Sequence, residues 1–284
     1  MKKITFTKMA GAGNDFIVID KKINPYFNAE SGLVGKLCKR RTGIGADGLI
    51  TLHDEDEFDF SMNYFNSDGS SGALCGNGAR CIIKYAYITE RLNSSETKFL
   101  FNDEIFTGII HNKSEIEFNL HSPNEIRRNF YIELDNRKLK VNYVNVGTPH
   151  VVIKISDIPK ELDNNSSFFD DIEDVPVYEL GRKVRYHKEF APEGVNVNFI
   201  DVKNGSLLIR TYERGVEEET LSCGTGAVSS AIIVYLNEGI NPPVKLLTLS
   251  KEYLTVNFDL SDNKFNKLSL TGNAQVIYNG EFLI

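Results

Sequence analysis

Two short stretches of this 284-residue chain join a thiol to a run of small residues. One is Cys75-Gly76-Asn77-Gly78-Ala79, and the other, 148 residues later, is Cys223-Gly224-Thr225-Gly226-Ala227. Each is followed by an apolar run with helical spacing: Ile82, Ile83, Tyr85 and Ala86 after the first, Ala231, Ile232, Ile233 and Tyr235 after the second. Glycines let the backbone turn sharply and leave its N–H groups uncovered. A cysteine at the start of such a helix sits where the helix dipole and unpaired donors favour negative charge, and that placement lowers a thiol's pKa towards neutrality. At the same offset, Tyr64-Phe65-Asn66 falls on Tyr212-Glu213-Arg214 with no gap. Two thiols activated in the same way, in two halves of one chain, form an acid/base pair facing one substrate if one is ionised and the other protonated. A cysteine nucleophile would need a histidine base beside it, and no histidine follows either motif closely.

Other candidates carry weaker chemistry. Cys38 and Cys81 read as small buried hydrophobes on helix faces. With four cysteines, no Cys-x-x-Cys and no histidine at zinc-ligand spacing, neither a disulfide scaffold nor a metal site is expected. Gly43-Ile44-Gly45-Ala46-Asp47-Gly48 matches a dinucleotide fingerprint letter for letter, but a helix precedes it and a strand follows, the reverse of what that site needs. It reads as a turn. His150, alone after Pro149, reads by itself as a structural histidine. Glu213-Arg214 ends an apolar strand and mirrors Phe65-Asn66, so it reads either as a surface ion pair or as a pocket-facing pair.

The elements that must position these groups follow from periodicity. Strands are predicted near residues 4–9, 16–20, 48–53, 58–65, 97–101, 104–111 and 114–120 in the first half. In the second half they are predicted near 126–134, 139–146, 151–155, 195–202 and 206–213, with more to the C-terminus. Helices are predicted near 29–40, after Cys75, over 177–188 and over 224–236, and 156–175 reads as loop. The basic cluster Lys36, Lys39, Arg40 and Arg41 reads as a solvated helix end. The expected fold class is α+β, with two pseudo-symmetric domains, each a mixed β-sheet or barrel wrapped around a central helix. The boundary falls near Ser122-Pro123-Asn124, giving residues 1–123 with the tail 272–284 as one half and 124–271 as the other.

Bulk properties narrow the partners. A composition of 41% hydrophobic and 25% charged residues suits a globular protein with a real core. A net charge of −7 disfavours nucleic acid or an anionic membrane as the main partner. No apolar run approaches a membrane span, and Thr5, Thr7 and Lys8 interrupt anything resembling a signal sequence. A cytoplasmic location is therefore expected.

Taken together, Lys8-Met9, Gly13-Asn14-Asp15-Phe16, Phe65-Asn66, Asp68-Gly69-Ser70, Cys75 to Cys81, Gly194-Val195-Asn196, Glu213-Arg214-Gly215 and Cys223 to Ala227 resemble the diaminopimelate epimerase family over essentially the whole chain, in order. The resemblance implies a cofactor-independent isomerase that interconverts LL- and meso-diaminopimelate on the route to lysine and peptidoglycan, typically as a homodimer. It implies Cys75 and Cys223 as the catalytic pair, with His150 and Glu213 tuning them. It also implies substrate contacts from Asn14, Asn66, Asn196, Glu213 and Arg214, and from the amides of Gly76, Asn77, Gly224 and Thr225. Two positions depart from the pattern: Thr148, where many members carry Asn, and Gly48, where some carry Gln. Threonine keeps a hydroxyl but lacks the amide's paired donor and acceptor. Alternatives of the same class are relatives acting on lanthionine, histidine, proline or hydroxyproline. Those of other classes are a thiol redox protein, which the 148-residue separation disfavours, and a non-catalytic amino-acid binding protein.

Overall fold

The computed structural model describes residues 2–160, 167–203, 206–262 and 264–283, so residues 161–166 of the expected loop lie outside the described residues. Internal contacts divide the chain into two compact units, residues 1–119 with 271–284 and residues 120–270.

In the first unit the strands are β1 (Lys3–Gly11), β2 (Asn14–Asp20), β3 (Gly48–His53), β4 (Phe60–Asn66), β5 (Glu96–Phe101), β6 (Glu104–Ile110) and β7 (Glu115–Asn119). β1 is antiparallel to both β2 and the C-terminal strand Gln275–Leu283. Two parallel pairings, β2 with β3 and β4 with β5, need helical crossovers. Helices α1 (Ser31–Cys38) and α2 (Gly76–Ile88) supply them. The unbroken apolar run Phe16-Ile17-Val18-Ile19 is what a strand covered on both faces requires. Ile17 and Ile19 join Leu49, Val34, Leu37 and Cys38 in a core under α1, while Phe16 and Ile50 face Gly78 of α2. α2 is packed against β1, β2, β3, β6 and β7, and its residues from Gly76 to Ile83 are all buried. The wrap is tight. A Cβ on Gly108 of β6 would stand 2.7 Å from the Glu117 carbonyl oxygen of β7 and 2.5 Å from Ile83 Cδ1 of α2, so glycine is what fits there.

The second unit repeats this plan. Its strands are β8 (Glu125–Leu134), β9 (Arg137–Asn145), β10 (Pro149–Lys154), β11 (Asn196–Lys203), β12 (Ser206–Glu213), β13 (Glu218–Thr220), β14 (Val244–Leu247) and β15 (Tyr253–Ser261). The next strand, Lys264–Asn273, carries the chain back to the first unit. β10 pairs in parallel with β11 through α3 (Val177–Arg185), and β12 with β14 through α4 (Gly224–Glu238). α4 packs against β9, β10, β11, β14 and β15, and Val177 and Val184 of α3 close the outer face over Val197, Phe199 and Tyr212. β3, α2 and β5 begin at residues 48, 76 and 96; β11, α4 and β14 begin at 196, 224 and 244. The constant offset means that the sequence repeat is a structural one. The fold is thus a sheet-rich α+β architecture with few helices. β13, three residues long, is too short to leave a periodic signal. Among the described residues no helix is long and apolar enough to cross a membrane.

Leu37 is fully buried between α1 and the sheet, and Leu37→Ala is expected to cost about 2–5 kcal/mol. Urea unfolding checks this; an unchanged midpoint would mean that α1 does not hold the outer layer of the first unit.

Candidate active site

In the first unit Cys75 is the N-cap of α2, with extended backbone (φ −88°, ψ 120°). The first intrahelical bond runs from the Ala79 N–H to the Cys75 carbonyl at 2.8 Å, so by helix geometry the amides of Gly76, Asn77 and Gly78 project from the helix end. A sulfur here takes the place usually held by a capping hydroxyl or carboxylate, and the helix dipole favours negative charge on it. Polar groups brace the turn from behind. Asn77, fully buried, donates to Asn14 Oδ1 at 2.6 Å and accepts from Arg80 Nη2 at 2.7 Å. Arg80 is itself fully buried and also donates to the Gly76 carbonyl at 3.2 Å.

Asn14 in turn donates to Asp47 Oδ2 at 3.0 Å. Arg40 grips Asp15 with two nitrogens, at 2.7 and 3.0 Å, and reaches Asp47 at 2.8 Å. Lys8 lies 2.8 Å from Asp15. Burial alone would raise the Asp15 carboxyl, but the hydrogen bonds and charges of Arg40 and Lys8 outweigh it and hold it below its ordinary range. Arg40 is exposed just beyond the end of α1, as expected of a solvated helix end, yet it also pairs with Asp15 and Asp47. Its planar fork matches the Asp15 carboxylate of β2 in a bidentate contact. Asn66 stands opposite Gly48 in the β3–β4 register. Its Nδ2 donates to Ser70 Oγ at 3.0 Å. The Tyr64 ring fills the space over Gly48, where a Cβ would lie 2.6 Å from Cε2.

In the second unit Cys223 is the N-cap of α4 (φ −126°, ψ 114°), and Ala227 N–H bonds to its carbonyl at 2.9 Å. Gly224 and Thr225 thus repeat Gly76 and Asn77. Cys223 Sγ lies 3.5 Å from Thr225 Oγ1, which lies 2.9 Å from His150 Nε2 and 3.3 Å from Thr148 Oγ1. His150 is the second residue of β10 and is completely inaccessible. Burial, reinforced by the positive charge of Arg214, lowers its pKa to about 3, so the ring is neutral at physiological pH. Asn196, beside His150 in the β10–β11 register, donates to the Pro149 carbonyl at 3.1 Å and accepts the Arg214 N–H at 2.9 Å. Its amide therefore ties the backbone of Arg214 to the start of β10. Glu213 Oε2 accepts a hydrogen bond from Thr220 at 2.8 Å, and the Arg214 guanidinium reaches the Glu193 carbonyl at 3.4 Å.

Some of the sequence-derived residues meet at the two helix starts, whereas the side chains of Asn66, Glu213 and Arg214 bond to Ser70, Thr220 and the Glu193 carbonyl. Asn14 and Asn77 meet behind Cys75, and His150 meets Thr225 beside Cys223. Arg80, Asp47 and Asn198 were missed. Arg80 is a charged residue inside an otherwise apolar helix. Asn198 shares a strand face with Asn196 in the apolar run Val195-Asn196-Val197-Asn198-Phe199, and a polar residue in such a run is the one signal it left.

Comparison with known proteins bears on the chemistry. The sequence model of the family described as diaminopimelate epimerase matches residues 6–122 and 142–277. The diaminopimelate epimerase of Aquifex aeolicus is 36% identical, covering 97% of this chain and 96% of its own. That of Methanocella arvoryzae is 36% identical, covering 99% and 97%. Among solved structures, a probable proline racemase from Agrobacterium radiobacter superposes with a TM-score of 0.72 at 12% identity, covering 99% of this chain and 93% of its own. A PhzF-family phenazine biosynthesis protein from Bacillus anthracis gives 0.71 at 14%, covering all of both chains. At such identities these two structures speak for the fold alone.

A histidine held neutral by burial makes a prediction with a definite sign. Its folded pKa lies below the unfolded value of about 6.5, so its contribution to stability is complete above that value and is lost as pH falls towards 3. The carbon-bound ring protons of His150 are expected to keep one chemical shift from pH 5 to 8 in an NMR titration. A midpoint inside that interval contradicts the buried, neutral assignment.

Proposed function

The chain belongs to the diaminopimelate epimerase family, and we propose that it interconverts LL- and meso-diaminopimelate with Cys75 and Cys223 as the paired base and acid, without a cofactor or metal. The single observation that supports this most is the repeat itself: two structurally equivalent buried helices, each capped by a cysteine.

In the proposed reaction one cysteine, as thiolate, removes the α-proton from one face while the other, as thiol, delivers a proton to the opposite face. The configuration inverts, and the two sulfurs exchange roles for the return reaction. An α-hydrogen beside a carboxylate is a very weak acid, so the negative charge that grows on the carboxylate must be met by donors already in place. The amides of Gly76, Asn77, Gly224 and Thr225, at two helix N-termini, are the donors proposed for that charge. Fixed dipoles need no reorganisation during the reaction, which is where their advantage over water lies. Asn14, Asn66 and Asn196 are assigned to the amino and carboxyl groups of the substrate, with Glu213 taking an ammonium group. Arg214 is assigned to the distal carboxylate, where a planar fork makes a bidentate contact. His150 is assigned to the surroundings of Cys223. The proposal includes a cytoplasmic homodimer serving lysine biosynthesis.

Incubation with LL-diaminopimelate in D₂O, followed by NMR, tests the reading. The expected result is deuterium at one α-carbon together with formation of the meso isomer. Absence of exchange with this and related amino acids would remove it. Cys75→Ser and Cys223→Ser are each expected to lower kcat by about 10²–10⁴-fold, the usual contribution of a general acid or base. Arg214→Lys is expected to raise KM more than it lowers kcat, because the distal end does not react.

A further inference from the structure

The repeat allows the two cysteine sites to be compared position by position, each within its own unit. Gly78 corresponds to Gly226, Asn77 to Thr225 and Ile50 to Asn198, and in register terms Phe16, beside Gly48, corresponds to His150, beside Asn196. Behind the first cysteine a Cβ on Gly78 would meet Ile50 Cδ1 at 3.4 Å and Phe16 Cε1 at 3.6 Å, both apolar. Behind the second, a Cβ on Gly226 would meet Asn198 Oδ1 at 2.2 Å. The strand facing Gly78 therefore presents hydrocarbon, and the one facing Gly226 a fully buried amide beside a buried imidazole.

The hydrogen bonds of that polar pair have a fixed direction. Asn198 Nδ2 lies 2.9 Å from the Val151 carbonyl, which only accepts, so the nitrogen end of the amide must face it. The same nitrogen lies 3.2 Å from His150 Nδ1, and Asn198 Oδ1 accepts from Thr211 Oγ1 at 3.0 Å. With a donor against Nδ1 and a neutral ring, the proton of His150 resides on Nε2. Nε2–H then lies between Thr225 Oγ1 at 2.9 Å and Thr148 Oγ1 at 3.0 Å, and the Thr148 hydroxyl donates in turn to Thr225 Oγ1 at 3.3 Å. A hydroxyl oxygen has two lone pairs and one proton. With both lone pairs of Thr225 engaged, its proton is directed to the remaining neighbour, Cys223 Sγ at 3.5 Å.

We propose that Asn198 is a positioning residue which, by fixing the His150 tautomer, turns the Thr225 hydroxyl into a dedicated hydrogen-bond donor to the sulfur of Cys223. This rests on the reading of Cys223 as an acid/base group and gives that sulfur an O–H donor for its thiolate. Thr148 belongs to the same chain of hydroxyls, which gives the threonine at that position a task of its own.

Protein labelled with ¹⁵N-histidine reports the tautomer directly. His150 is expected to show a protonated Nε2 and a bare Nδ1 at pH 7, and the opposite tautomer or an imidazolium would overturn the proposal. The sulfur is read by iodoacetamide alkylation at pH 7.5, quantified on the Cys223 peptide by mass spectrometry. Thr225→Val, which keeps the shape but removes the hydroxyl, is expected to slow alkylation about tenfold, and Thr225→Ser to restore it, since a hydrogen bond to a charged group is among the stronger kinds. Asn198→Leu is expected to slow alkylation in the same sense; should it fail to fold, the threonine pair still decides. An unchanged rate in Thr225→Val, or no rescue by serine, contradicts the proposal. Neither readout uses substrate, so a failure here is distinct from a failure to exchange deuterium.

Discussion

A helix wrapped by strands on several sides is the constraint on which the other features depend. α2 and α4 each touch five strands of their own unit, so their sides must be apolar or small and their polar ends must emerge where the strands stop. The first-turn amides then have no intrahelical acceptor and face whatever approaches that end. Most proteins place Ser, Thr, Asp or Asn there to satisfy the donors. This chain places cysteine, whose sulfur caps poorly but accepts negative charge under the same dipole. The glycine three residues beyond each cysteine serves packing: Gly78 and Gly226 bring the helix against the strand behind it.

The polar residues behind each helix start show what holding this geometry involves. Burying Arg80 without partners would be severely unfavourable, and its bonds to Asn77 and the Gly76 carbonyl tie that requirement to the shape of the cysteine turn. The chain continues outward through Asn14 and Asp47 to Arg40 and Asp15. On the other helix the same job falls to Thr225, His150 and Asn198. The backbones are repeats while the supporting side chains are unrelated, an arrangement suited to the proposed acid/base pair, whose members would hold different protonation states at the same moment. A neutral His150 suits it further, since its donor role does not vary across physiological pH.

Much of this was legible in the sequence, and what was not has a physical reason. The two cysteine motifs announced themselves because glycine spacing and the helix that follows are local properties. Most strands were visible by alternation, and the double-sided strand β2 by its unbroken apolar run. α1 and α3 proved shorter than periodicity suggested, ending at Cys38 and Arg185, because terminal basic residues continue a helical pattern without packing under it. The partner of Arg40 was invisible, since Asp15 and Asp47 approach it only through the β2–β3 pairing. Asn198 was overlooked for a similar reason: its meaning depends on which strand lies beside β11 and on where α4 presses against it. Side-chain types are local, but the company they keep is set by topology.

In the proposed reaction the sulfurs of Cys75 and Cys223 address one carbon atom from opposite faces. Two thiols able to do so are also able to join under mild oxidation. Peptide mapping after such treatment is the most direct measurement, with activity assayed before and after reduction. The account predicts an intramolecular Cys75–Cys223 disulfide whose formation parallels loss of turnover and whose reduction restores it. A bridged protein that retains full activity would contradict it.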